Sequence, residues 1–346
     1  MSTSHQRRWT KFGFAGIAAA GALTLAACGG GPAGAGGGGA AEDLEPLRVA
    51  LITHQVPGDT FFDIMRAGAE TAGERNNVEV LYTSDPEGPG QAQLISQAME
   101  QEVDGIAVTL AKADAMSGAV QQAVDAGIPV FSINAGEEEY AEMGVLAHFG
   151  QDEYIAGESI GAQLNEEDAE QVVCVIQEQG HIGLESRCQG LADEFDGSSE
   201  VLYVNGQDMA NVSSTITSSL QTNSDIDYVV TLGAPFAMTA LSAIEEAGSD
   251  AQLGTVDLNA DVYEAMQNGD VVFAVDQQPW MQGFSSIEAV RLYHDGGYVL
   301  GGGQPVLTGP TLITQDNVDD VASQFEGSEA AGSDDDEQTL DEEDEG

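Results

Sequence analysis

Polar and aromatic side chains stand just after several apolar runs of this chain, at positions suited to binding or catalysis. They are Asp59, Phe61, Phe62, Asn134, Arg187, Asp257 and Gln277. Carboxylate, amide and guanidinium groups offer hydrogen-bond partners for hydroxyl groups, and aromatic rings offer an apolar platform for the C–H face of a sugar ring. These residue types predict a binding site for a polyhydroxylated molecule, with no cofactor and no catalytic residue.

Each of these residues also has a purely structural interpretation. Phe61 and Phe62 could be core residues, although their place at a helix entrance after a strand favours a ligand contact for at least one of them. Arg187 could form only a salt bridge, but arginine is scarce in this chain and its charge at a helix start opposes the helix dipole. Asp257 could cap the following helix, and Gln277 could merely shape a hinge. For the set we predict ligand contacts.

Motifs for other chemistries fail on their context. Gly157 to Gly161 reads G-x-S-x-G, the pattern of a hydrolase nucleophile elbow, which needs a tight turn directly after a strand. Ser159 instead lies inside the helical pattern of residues 153 to 164, so no hydrolase is predicted. The four histidines beyond the first 27 residues show no metal-ligand spacing and predict no metal site; they are His54, His148, His181 and His294.

The first 27 residues have the pattern of an export signal. Basic residues between positions 7 and 11 precede an apolar run from Phe12 to Ala27, which is shorter than the roughly 20 residues needed to span a membrane. The run ends in Leu-Ala-Ala followed by Cys28 and resembles the bacterial lipobox, whose cysteine is acylated. We therefore predict an exported protein, anchored by a lipid on Cys28 to the extracytoplasmic face of the cell membrane.

Composition sets the ends of the folded part and excludes some partners. Residues 28 to 46 are mostly Gly and Ala and predict a flexible linker, and residues 327 to 346 predict a disordered acidic tail. The chain has 59 acidic and 9 basic residues and a formal net charge of −50. Such a balance excludes nucleic acid as a partner and suggests a salt-loving organism, because high ionic strength screens the self-repulsion.

Two cysteines remain after Cys28. Cys174 and Cys188 are an even pair in a chain predicted to enter an oxidising compartment, which favours a disulfide between a strand and the following helix. A catalytic thiol is the alternative, but no histidine stands in a recognisable pattern beside either cysteine.

Short apolar, β-branched runs alternate with helical patterns along the middle of the chain, which predicts an α/β fold with parallel sheets covered on both faces. The predicted strands are 47 to 53, 78 to 83, 105 to 110, 128 to 134, 143 to 149, 172 to 177, 201 to 205, 228 to 232, 253 to 257 and 271 to 276. About 280 residues exceed what one core usually organises, so two lobes are expected. Ligands of such sheets bind outside the carboxyl ends of the strands.

Several short motifs, taken in order, resemble the type I periplasmic binding proteins of sugar importers, the group similar to ribose-binding protein. The motifs are Gly58-Asp59-Thr60-Phe61-Phe62, Asp104-Gly105-Ile106-Ala107-Val108, Ala126-Gly127-Ile128-Pro129-Val130, Gly150-Gln151-Asp152, Arg187-Cys188-Gln189-Gly190, Thr255-Val256-Asp257 and Asp276-Gln277-Gln278-Pro279. The resemblance implies two Rossmann-like βα lobes joined by a three-segment hinge. It places residues 47 to 150 and 277 to 305 in the first lobe, and 151 to 276 and 306 to 326 in the second.

The same resemblance implies roles for the candidate residues. Aromatic rings of the first loop stack on the sugar in this family, and its hydroxyl-binding residues correspond to Asn134, Arg187, Asp257 and Gln277. The chain departs from the family pattern at Asn134-Ala135 and at Gly233-Ala234, which argues against ribose itself as the ligand.

The prediction for function follows from these points. The chain is expected to act as a monomer that captures a monosaccharide or related polyol and delivers it to the membrane permease of an ABC importer. The alternative is a sensory binding protein that reports a sugar or signal to a membrane receptor.

Overall fold

The computed structural model describes residues 44 to 56 and 59 to 324. The predicted export signal, Cys28, the linker up to residue 43 and the acidic tail lie outside these residues. None of the described helices is both long and apolar enough to cross a membrane.

The first lobe is built on a six-stranded parallel sheet in the order β11-β5-β4-β3-β1-β2. Its strands are β1 (Leu47–Thr53), β2 (Val78–Ser84), β3 (Gly105–Thr109), β4 (Val130–Asn134), β5 (His148–Gln151) and β11 (Val306–Gly309). Helices α1 (Thr60–Asn76) and α9 (Pro279–Gly296) cover one face, and α2 (Gly88–Glu100) and α3 (Ala113–Asp125) cover the other.

The second lobe repeats this plan with the order β12-β10-β9-β8-β6-β7, in which only β12 runs antiparallel to its neighbour. Its strands are β6 (Gln171–Ile176), β7 (Ser198–Tyr203), β8 (Tyr228–Thr231), β9 (Gln252–Val256), β10 (Phe273–Asp276) and β12 (Thr311–Thr314). Its helices are α4 (Glu153–Glu166), α5 (Ile182–Glu194), α6 (Met209–Thr222), α7 (Ala234–Ala247), α8 (Ala260–Asn268) and the 3-10 helix Val318–Gln324. Another 3-10 helix, Leu300–Gly303, packs against the first lobe.

The central strands are buried on both faces, as their continuous apolar runs predict. Every residue of β3, β4 and β8 is buried. Each sheet therefore separates two apolar clusters, one under each helical layer. This confirms the predicted α/β class with two parallel-sheet lobes.

The chain crosses between the lobes three times: after β5, after β10 and between β11 and β12. The third crossing differs from the predicted boundary, because Val306–Gly309 pairs with β5 and so extends the first sheet. Residues from 306 onward were predicted in the second lobe, but only those after Gly309 join its sheet.

The predicted strand at 143 to 149 is also displaced. A run of turns covers residues 137 to 144, and Gly144 adopts a φ of 77° that side-chain-bearing residues rarely accept. Strand β5 begins only at His148.

Ser159 lies within α4, where its hydroxyl donates to the carbonyl of Ile155 at 2.9 Å. The small residues around it serve helix packing. A Cβ at Gly157 would lie 2.2 Å from the carbonyl oxygen of Arg187, so glycine lets α4 lie directly against α5.

Cys174 of β6 and Cys188 of α5 form a disulfide, with their Cα atoms 6.0 Å apart. The predicted strand-to-helix link is confirmed.

Candidate ligand-binding site

A cavity of about 380 Å³ opens between the two lobes at the carboxyl ends of the strands. Its volume falls in the ordinary range of small-molecule sites. All of the side chains singled out from the sequence line it: Asp59, Phe61, Phe62, Asn134, Arg187, Asp257 and Gln277. In each parallel sheet, the loops that follow the strands all lie at the carboxyl ends of the strands. These ends of the two sheets face each other across the cavity.

The start of α1 supplies the apolar wall of the first lobe. Asp59 caps this helix, and its Oδ1 accepts a hydrogen bond from the backbone N–H of Phe61 at 3.0 Å. The cap fixes the turn that brings Phe61 and Phe62 to the cavity, where the two rings meet edge to face at 5.1 Å. Both rings are buried and also pack into the core of the first lobe, so their structural and lining roles coexist.

A chain of amide hydrogen bonds joins the two lobes beneath the cavity. Asn134, at the end of β4, donates from Nδ2 to Gln277 Oε1 at 3.0 Å, and Gln277 donates from Nε2 to Asp257 Oδ1 at 2.6 Å. Asn134 and Asp257 hold left-handed backbone conformations, with φ of 62° and 69°. Such conformations turn the chain sharply at a strand end, and Asn and Asp tolerate them better than other residues that bear a side chain. Asn259, not Asp257, caps α8.

The hinge residue Gln277 is held from both sides. Its carbonyl accepts hydrogen bonds from Gln282 Nε2 at 3.0 Å and from the Thr308 hydroxyl at 2.7 Å. Thr308 belongs to the third crossing, and its one hydroxyl proton is shared between the carbonyl of Gln277 and that of Gly150, 3.1 Å away, beside the first crossing. One buried network thus links all three crossings. Gln282 Nε2 also donates to Gln277 Oε1 at 3.1 Å, which helps to hold the side chain that touches Asn134 and Asp257.

Arg187 is a cavity residue and a salt-bridge residue at once. Its Nε and Nη2 donate to the two oxygens of Glu153, the second at 2.9 Å. Both side chains are almost completely buried, and Gln151 donates to Glu153 at 3.0 Å. Among the described residues, no hydrogen bond uses Arg187 Nη1, which leaves that nitrogen for a ligand.

Two carboxyl groups of the cavity, buried Asp257 and half-buried Asp59, have a raised pKa. Burial raises the pKa of Asp257 to about 7, against the opposing effects of the Arg187 charge and the Gln277 hydrogen bond. Burial likewise raises the pKa of Asp59 to about 6, although its hydrogen bond from Phe61 acts the other way. The cavity therefore disfavours additional negative charge, and its acceptors suit hydroxyl donors.

An ion pair that the sequence did not reveal spans the mouth of the cavity. Lys112 of the first lobe lies 3.0 Å from Glu178 of the second lobe. Its Nζ also donates to the carbonyl of Pro86 at 2.9 Å and to Glu87 at 3.3 Å. The Lys112 ammonium group thus contacts three oxygens of the protein and links the two lobes.

Further cavity residues were also missed. Phe236 lines the cavity from the second lobe, opposite the phenylalanines of the first. His54, Glu178 and His181 each offer one ligand-type atom within 4.8 Å of the others. Because His54 lies on a loop far along the chain from the loop that holds Glu178 and His181, no spacing rule could show that the three meet.

With this geometry in place, comparisons with known proteins fix the family. The family model described as a periplasmic binding protein domain matches residues 49–297. The chain belongs to this family, in its type I group of sugar-binding members.

The similar proteins include a solved structure of a carbohydrate transporter from Acidothermus cellulolyticus 11B in complex with myo-inositol. It is 44% identical, has a TM-score of 0.80, and the match covers 81% of this chain and 98% of that one. A xylose/arabinose-binding protein of Sulfolobus acidocaldarius is 26% identical over 68% of this chain. A D-apiose import binding protein of Actinobacillus succinogenes is 31% identical over 58%. The matches span 63% and 66% of these two curated relatives, just short of two thirds of each.

The family assignment also bears on catalysis. Both curated relatives are named as binding proteins, and the family is one of binding proteins; the chain is a binding protein, not an enzyme. The position of Ser159 inside a helix agrees with that assignment.

Proposed function

We propose that this protein is an extracytoplasmic solute-binding lipoprotein that captures a neutral monosaccharide or related polyol and delivers it to the permease of an ABC importer. One observation carries the proposal: polar side chains from both lobes and the hinge converge on a single cavity beside aromatic rings. The 44% identical relative holds myo-inositol, and other relatives are named for pentoses. A cyclitol or a pentose is therefore the first class to test.

The mechanism is closure of the lobes around the ligand. Asn134 and the phenylalanines belong to the first lobe, whereas Arg187 and Asp257 belong to the second. A ligand that touches both sets binds the closed form more tightly than the open one and shifts the equilibrium toward closure. The closed surface is what the permease recognises.

The ion pairs at the cavity support the proposal that the ligand is neutral. Both basic residues at the cavity are already paired with carboxylates, Arg187 with Glu153 and Lys112 with Glu178. A uronate or sugar phosphate would enter beside Asp59 and Asp257 without a free cation to meet it, which costs binding free energy.

A thermal-shift panel of pentoses, hexoses and inositols, in low and in molar salt, tests the proposal. We expect stabilisation by one neutral polyol, and loss of that shift in Asn134→Ala but not in the exposed control Asn268→Ala. No stabilisation by any member in either salt would contradict the proposal.

The proposed roles in transport and anchoring have their own tests. Deletion of the gene is expected to abolish uptake of the bound polyol; retained uptake with loss of a cellular response would favour the sensory alternative. Replacement Cys28→Ala is expected to release the protein from the membrane fraction, and continued membrane attachment would contradict the lipid anchor.

A further inference from the structure

Two histidines and a glutamate form a second polar cluster in the cavity, apart from the Asn134, Gln277 and Asp257 chain. His54 belongs to the first lobe, and Glu178 and His181 follow β6 in the second. The two imidazole rings meet edge to face at 5.1 Å, and one ligand-type atom of each residue lies within 4.8 Å of the others. Such a cluster could bind a metal ion or a ligand hydroxyl group. Which of the two it suits depends on which ring nitrogen of His181 carries the proton.

The tautomer of His181 is fixed by its role at the start of α5. His181 is the N-cap of that helix, and its Nδ1 accepts hydrogen bonds from the backbone N–H groups of Gly183 at 3.1 Å and Leu184 at 3.4 Å. A nitrogen that accepts these bonds carries no proton. Burial also keeps the ring neutral, since it lowers the pKa of His181 well below the ordinary value. The single ring proton is therefore on Nε2.

This tautomer disfavours a metal ion. Coordination through Nε2 would require that nitrogen to lose its proton, and the neutral ring would then carry the proton on Nδ1. That proton would face two backbone donors and break both cap hydrogen bonds. The same tautomer suits a hydroxyl oxygen, because Nε2–H is a donor with no hydrogen-bond partner among the described residues.

We propose that His181 and Glu178 form a hydroxyl-recognition subsite, in which His181 Nε2–H donates to one ligand hydroxyl and the Glu178 carboxylate accepts that hydroxyl's proton in a hydrogen bond. A hydroxyl both donates and accepts. An imidazole nitrogen of His181 and a carboxylate oxygen of Glu178 lie within 4.8 Å of each other, so the two side chains are close enough to share one hydroxyl oxygen at hydrogen-bond lengths of about 2.7 to 2.9 Å. Lys112 holds Glu178 in place from the first lobe. The inference rests on the proposed function and names two residues that select a particular hydroxyl of the polyol.

The variant His181→Asn separates the two roles of this residue. Asparagine is a good N-cap whose side-chain oxygen can accept from the same backbone donors, but it lacks the Nε2–H donor. We expect its melting temperature to stay near that of the wild type, while its affinity for myo-inositol falls about ten-fold or more in calorimetric titration. The matched control is His294→Asn, which replaces a partly exposed histidine of α9. This variant should bind myo-inositol like the wild type.

Analogues of the ligand identify the hydroxyl. Among monodeoxy-inositols, we expect one to bind the wild type at least about a hundred-fold more weakly than myo-inositol, because it leaves both buried partners unpaired. In His181→Asn the discrimination against that analogue should shrink by about ten-fold. Equal affinity of the wild type and His181→Asn for myo-inositol would overturn the subsite while leaving the proposed function intact. Failure of the wild type to bind any neutral polyol would remove both.

Two measurements on the wild-type protein do not depend on any variant folding. Nitrogen-15 NMR of the histidine rings should show His181 with its proton on Nε2, and ligand binding should slow exchange of that proton with water. A proton on Nδ1 would overturn the proposal. Zn²⁺ alone should leave the melting temperature unchanged; stabilisation by Zn²⁺ that His181→Asn abolishes would assign the cluster to a metal instead.

Discussion

The most exacting prediction concerns the ionisation of Asp257. This carboxyl group lies between the lobes, where it accepts a hydrogen bond from Gln277 and interacts with the Arg187 charge, and burial raises its pKa from 3.8 to about 7. Between those two values the folded protein retains a proton that the unfolded chain releases. The stability contribution of Asp257 is therefore complete below about pH 4 and is lost as the pH rises through 7.

The variant Asp257→Asn isolates this effect. Asparagine cannot ionise, yet its side-chain oxygen can still accept the hydrogen bond from Gln277 Nε2, now 2.6 Å long. Integrating the linkage relation between about pH 5 and about pH 8, with a three-unit shift, gives a change of about 2.5 kcal/mol. The variant should gain this much stability relative to the wild type as the pH rises.

Urea unfolding of the ligand-free wild type and variant at the two pH values, at constant salt, measures the effect. Asp261→Asn, in the exposed first turn of α8, is the control and should show no comparable gain. If the difference in unfolding free energy between the wild type and Asp257→Asn does not change with pH, Asp257 is solvated. That result would refute the burial of this carboxyl group in the ligand-free protein.

Three further substitutions test the supports of the site. Glu153→Gln removes the charge that faces buried Arg187 and should lower the unfolding free energy by about 3 kcal/mol in urea; a stability within experimental error of wild type would contradict the buried pair. Lys112→Met removes the ion pair with Glu178 across the lobes and should weaken polyol binding about three- to ten-fold by calorimetry, whereas unchanged affinity would show that the pair plays no part in closure. Replacing Cys174 and Cys188 together by alanine removes the disulfide and should lower the unfolding free energy by about 3 kcal/mol. A melting temperature equal to that of the wild type would contradict a stabilising role for the disulfide.

The sequence predicted the parts of the fold and site that have a local signal. Strands buried on both faces appear as continuous apolar runs, and the rule that ligands bind at strand ends pointed to Asp59, Asn134 and Asp257 before any contact was known. These residues do line one cavity. Their roles as ligand contacts remain predictions.

Features without a local signal were missed or misplaced. Strand β11 is a short edge strand whose Leu307 is 54% exposed, so it lacks the two-sided apolar pattern and was put in the wrong lobe. His181 is not among the usual N-cap residue types, and its tautomer follows from contacts that only the folded chain shows. The pairing of Lys112 with Glu178 arises from loops on opposite lobes, which no pattern along the chain encodes.

Salt dependence follows from the overall charge rather than from the site. The formal charge of −50 should destabilise the compact state at low ionic strength, where the Debye length is long. Unfolding in molar salt should therefore require more urea than unfolding in dilute buffer, and equal midpoints would count against adaptation to a saline habitat.

A crystal structure of the protein with the neutral polyol that binds it most tightly tests the central claim most directly. The account predicts the ligand ring beside Phe61 and Phe62, with its hydroxyl groups on Asn134, Arg187 and Asp257 and the lobes closed over it. A ligand bound elsewhere, or a cavity filled by the protein's own side chains, would contradict it.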